Sequence, residues 1–201
     1  METSVWTGTL ARFREKACGT DPVPASVAIS AVTASLALAL LAKVLAITGK
    51  RKNFTGDRPR LGALLDAARA ESTRLTRLAD EDIEAFNQYR ECVRQGGEIT
   101  AAIRQAIEVP LNAARAAVRG LGLCADAADM VRGLTAADLG AAAALLSGAV
   151  RAMLLSVDFN VREMHPDAQF AEAIAAERGE LEINALHHAG AVDAAVSALS
   201  R

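Results

Sequence analysis

Aromatic side chains are nearly missing from this chain. Five Phe, one Trp and one Tyr amount to 3% of 201 residues, although 52% of the residues are hydrophobic. A core made without rings must be aliphatic and rich in alanine. That composition favours helices over sheets, because alanine and leucine lead the helix scale while strand formers are scarce. Histidine and cysteine are equally thin, at three each. Cys18, Cys92 and Cys124 are odd in number, far apart and in no C-x-x-C pair. They read as reduced, mostly buried thiols of a cytoplasmic protein, without a metal-ligand spacing. His187 and His188 are neighbours, about 100° apart on a helix, and do not converge easily on one metal. A net charge of −2 argues against a nucleic-acid surface or an anionic-membrane binder. The only G-x-G, at Gly120 and Gly122, lacks the third glycine and a preceding strand, so no dinucleotide fingerprint is present.

What is present is one long apolar run. From Val27 to Thr48 only Lys43 is charged, and Ala, Ser and Thr alternate with Leu, Ile and Val. Pro22 and Pro24 make the lead-in extended, Ser26 stands where a helix N-cap would, and Gly49 followed by Lys50, Arg51 and Lys52 marks the other end. The run is long enough to span a bilayer. Its small residues and its mid-segment lysine instead suit a helix packed on all sides inside a helical protein, with no membrane partner expected. Residues 1 to 20 carry charge throughout and have no apolar core, so no secretory leader is expected.

The remaining punctuation predicts a short amphipathic helix over residues 3–17 and a long one from Leu61 to Gln95. Gly96–Gly97 is a break, and a helix from Glu98 to Leu121 follows, kinked by Pro110, then a short helical piece up to Gly133. Thr135 and Asp138 form a T-x-x-D capping box before a helix reaching Met164. Two final helices, 166–178 and 180–200, complete a single all-α domain over residues 1–201. On the long helix, Asp82 falls in the apolar stripe between Leu78 and Phe86. A carboxylate there either caps or pairs with a neighbour, or serves a site.

The order of short motifs resembles the cyclodeaminase/cyclohydrolase family, which includes the cyclodeaminase half of formiminotransferase-cyclodeaminase and the methenyltetrahydrofolate cyclohydrolases. The family's T-P-x-G-G-S-like lead-in corresponds to Asp21-Pro22-Val23-Pro24-Ala25-Ser26. Its basic turn corresponds to Ile47-Thr48-Gly49-Lys50-Arg51-Lys52-Asn53-Phe54. A D-x-D-A-x-A-F-like segment matches Asp80 to Phe86, A-x-x-V-P-L matches Ala106 to Leu111, S-D-x-G-x-A-A matches Ala137 to Ala142, and N-V-x-x-N matches Ser156 to Asn160. Val23, Pro24 and Ala25 replace the family's glycines, Ala137 its serine and Ser156 its first asparagine. The resemblance covers residues 5 to 175 and implies a homodimeric helical bundle with a groove near the lead-in.

It also implies an enzyme without a prosthetic group, a hydrolase or a lyase, acting on a one-carbon C–N unit of a tetrahydrofolate derivative. Asp82 would serve as general acid/base, since burial would raise its pKa, and Asp138 would orient a nitrogen heterocycle. Ser26 and Asn160 would bind substrate, and Lys50 and Lys52 would hold its carboxylate tail. Two alternatives stay open: the same fold turned to a non-folate substrate, which a drier lead-in of Val, Pro and Ala would suit, and a non-catalytic helical dimer.

Overall fold

The structure is a computed structural model, which describes residues 4–199. It contains six helices in the order α1 (Leu10–Ala17), α2 (Ser26–Lys50), α3 (Arg58–Gln95), α4 (Thr100–Ala127), α5 (Thr135–Met164) and α6 (Ala168–Leu199), with no strand among the described residues. Helices α2, α3, α4 and α5 form a four-membered ring in which each packs on the next and α5 returns to α2; α6 lies outside, across α4 and α5.

The apolar run forms α2. Ala28, Ala31, Ala34 and Ala37 are fully buried and let neighbouring backbones come close, while Leu38, Leu41 and Leu45 fill the space between helices. Burying each such leucine is worth roughly 1.5–3 kcal/mol. The serines of the run are used locally: Ser35 Oγ and Ser72 Oγ lie 3.0 Å apart, and Ser72 Oγ donates to the Ser35 carbonyl, joining α2 to α3. Both α2 and α5 are long and apolar enough to cross a membrane by length and composition. In this fold α2 is the core helix that the small residues imply.

Several boundaries differ from the sequence reading. Residues 4–8 are not helical. Val5 N–H donates to Asp80 Oδ1 at 2.8 Å and the Trp6 indole N–H to the Thr76 carbonyl at 2.9 Å, pinning this segment to α3. Helix α1 then starts at Leu10, capped by Thr9. Gly49 does not end α2, which runs on to Lys50 with Arg51 as C-cap. Helix α4 passes straight through Gly120 and Gly122 to Ala127. A Cβ at Gly120 would stand 2.9 Å from Leu38 Cδ2 and 3.3 Å from Leu146 Cδ2, so this glycine admits α2 and α5 and is not a break. Thr135 and Asp138 form no capping box. The N-cap of α5 is Leu134 without a side-chain bond, and the Thr135 hydroxyl donates to the Arg132 carbonyl and accepts from Arg51. The two expected C-terminal helices are one, because Gly179 lies inside a continuous helix whose first turn Asp167 caps through Phe170 N–H. Of the cysteines, only Cys124 is buried; Cys18 is exposed. The Cys124 thiol is pushed up to about 12 by burial.

Candidate functional site

The N-terminus of α2 has no cap of its own. Its N-cap residue is Ala25, which offers no side-chain acceptor to the free N–H groups of the first turn. Asp82, from the middle of α3, fills that role, taking the Ala28 N–H on its carboxylate. Two influences act on the carboxyl group. Burial among apolar side chains disfavours its charge, and the Ala28 N–H together with the positive end of α2 favours it. Burial wins, and the Asp82 pKa is raised to about 7.

Asp82 forms part of the wall of a groove of about 360 Å³. Pro22, Val23, Ala25, Ser26 and Val27 line one side and Ala152, Leu155, Ser156, Phe159 and Asn160 of α5 the other, with Phe86 beside Asp82. The two hydroxyls of Ser26 and Ser156 meet at 2.7 Å across the groove. Ser26 therefore bridges α2 to α5, and the expected N-cap role falls outside it. Asn160 Nδ2 donates to the Ala106 carbonyl of α4 at 2.9 Å. The groove is thus an apolar slot with four polar side chains: a carboxyl group titrating near neutrality, a hydroxyl pair and one amide. Such a set can hold a flat, nitrogen-bearing ligand and pass it a proton.

The structure brings together Asp82, Ser26 and Asn160 from the sequence-based set. Asp138, Lys50 and Lys52 lie elsewhere in the same chain. Helices α2 and α5 run antiparallel, since Ser26 meets Ser156 at one end and Arg51 meets Thr135 at the other. The rise of a helix places Lys50 about 36 Å from Ser26 along α2, and Asp138 about 33 Å from Asn160 along α5. Lys50 and Lys52 are exposed, and Asp138 is half-buried in the first turn of α5. The sequence marks Ser156 as a departure from the family pattern without giving it a binding role; its placement one turn before Asn160, on the same face, is the signal for one. Among the described residues no group of three His, Cys, Asp or Glu side chains is gathered as a metal site would need.

A four-helix ring with an apolar slot at one end, flanked by a fifth long helix, places the chain in the class of all-helical bundles. Within that class the family model described as formiminotransferase-cyclodeaminase matches residues 9–180, and the chain belongs to that family. The fold is similar to the crystal structure of formiminotetrahydrofolate cyclodeaminase from Thermotoga maritima, with a TM-score of 0.91 over 98% of this chain and 100% of that one, at 22% sequence identity. No curated protein matches the chain.

Proposed function

We propose that the chain is an enzyme of one-carbon C–N chemistry, opening or closing a unit held between two nitrogens of a substrate such as methenyl- or formimino-tetrahydrofolate. The observation that carries this reading is Asp82: a half-buried carboxyl group with its pKa raised to about 7, in a groove that can hold a flat heterocycle. In the hydrolytic form, water adds to the electrophilic methenyl carbon. Ionised Asp82 takes a proton from that water, and the same group can return it to the ring nitrogen as the C–N bond breaks. In the deaminating form, a folate nitrogen attacks the formimino carbon, neutral Asp82 protonates the departing nitrogen, and ammonia leaves. A group titrating near neutral pH has both protonation states available for these steps. Asn160 and the Ser26–Ser156 pair orient the ligand.

The same reading includes a homodimer. Ile29, Leu36 and Ile47 of α2 and Leu145, Leu155 and Phe159 of α5 are exposed apolar residues on adjacent helices, and Leu155 and Phe159 also line the groove. A second copy covering this face, with the twofold axis across the helices, carries the Lys50 and Asp138 end of one copy toward the groove of the other. That arrangement gives Lys50, Lys52 and Asp138 a way into a shared site.

The test is the absorbance decay of 5,10-methenyltetrahydrofolate with and without the protein, and with Asp82→Asn. Acceleration that Asp82→Asn abolishes supports the reading, whereas an unchanged rate in the variant removes Asp82 from proton transfer. A second reading keeps the chemistry on a non-folate ligand. The apolar walls supplied by Val23, Phe86, Leu155 and Phe159 favour it, and a parent protein that fails to bind the folate would put it in front.

A further inference from the structure

Pro110 lies inside α4, where a proline removes one hydrogen bond of the helix. The missing donor is the N–H that would reach the carbonyl four residues back, at Ala106. That same carbonyl is the one Asn160 Nδ2 takes from α5. The coincidence fixes the amide. Facing a carbonyl oxygen, the Asn160 side chain must present its NH₂, since its own oxygen would be repelled. Its Oδ1 is then turned away from α4 and takes no hydrogen bond from the described residues, on a residue that lines the Asp82 groove.

We propose that Pro110 is a positioning residue for this groove. By withholding its N–H it leaves the Ala106 carbonyl free to lock Asn160 with an acceptor toward the ligand, so the groove selects a ligand that donates an N–H at that point. The ligand half of this inference rests on the reading of the groove as a site for a nitrogen heterocycle; the positioning half does not. An ordinary residue at 110 restores the helical bond to Ala106, releases the amide to rotate, and removes the selection. The proline is therefore not a tolerated defect of α4 but the source of an acceptor held in place by a neighbouring helix.

The experiment is a stability cycle on the full chain with Pro110→Ala, Asn160→Asp and the pair, followed by kinetics. Asp at 160 has the shape of Asn but, when ionised, no donor for the Ala106 carbonyl. In the parent it should lower the urea midpoint clearly; combined with Pro110→Ala, where Ala106 has its own N–H, the loss should shrink to a small fraction. Equal losses in the two backgrounds would overturn the positioning role, and this arm needs no substrate. Should Pro110→Ala fail to fold, the parent alone decides by NMR: slowed exchange of the Asn160 side-chain NH₂ protons supports the lock, and free exchange overturns it. With 5,10-methenyltetrahydrofolate, Pro110→Ala should raise KM roughly three- to tenfold, the worth of one neutral hydrogen bond, while kcat holds. A KM unmoved in a turning-over variant would overturn the ligand half, and a parent that neither binds nor turns over the folate would overturn its choice of ligand and leave the stability cycle to decide the lock.

Discussion

Asp82 sets the behaviour of the groove because the same carboxyl group caps α2 and titrates near neutrality. Its folded value of about 7 is above the ordinary 3.8, so between those limits the folded protein binds more protons than the unfolded one. Stability should therefore decline as pH rises from about 4 to about 7 and level off above, with a slope approaching roughly 1.4 kcal/mol per pH unit from this group. Asp82→Asn should flatten that decline in urea titrations taken across the window, since the amide can still accept the Ala28 N–H. The same variant should lose roughly 100-fold or more in turnover, the usual worth of an acid/base group, and the parent's hydrolytic rate should rise through pH 7 as the carboxylate forms. This residue was legible in the sequence because a carboxylate in an apolar stripe breaks a strong pattern. The locations of Lys50 and Asp138 were not. Motifs along a chain carry order but no distance, and only the antiparallel passage of α2 and α5 shows that these two residues stand at the far end of the bundle.

At the scale of the helix, the glycines sort by what surrounds them. Gly120 is a contact point, where an added Cβ meets Leu38 at 2.9 Å, whereas a Cβ at Gly179 meets nothing within 4 Å. Gly120→Ala should destabilise by about 1–2 kcal/mol, the strain of overpacking offset in part by the better helix former. Gly179→Ala should stabilise by about 0.8–1 kcal/mol. Opposite shifts in urea midpoint would be the mark of the two roles. This is also why the helix ends were only partly legible. Gly96 is a true terminus with φ 66°, and the sequence reading located it, but a glycine in a helix interior looks the same in one dimension. The Thr135–Asp138 pair misled for a related reason: Arg51, distant in sequence, binds Thr135 and takes the hydroxyl that the capping box would have used. The apolar run of α2 and the break before α6 depend only on local composition, and both emerged as read.

For the whole molecule, the exposed apolar stripes of α2 and α5 predict self-association. Leu36 is 53% exposed and outside the core, so Leu36→Arg should leave the fold intact and convert a dimer into a monomer in light scattering, with activity lost if both copies build each site. A parent that is already monomeric at micromolar concentration would remove that face from consideration. The segment folded over α3 has a different value. Trp6 is the chain's only tryptophan, and its indole is tied to Thr76, less than two turns of helix from Asp82. The protein thus carries a single indole fluorophore, fixed to the helix that bears Asp82. Ligand arrival, loosening of the N-terminal strap and unfolding of α3 can each be followed by emission, with no label attached.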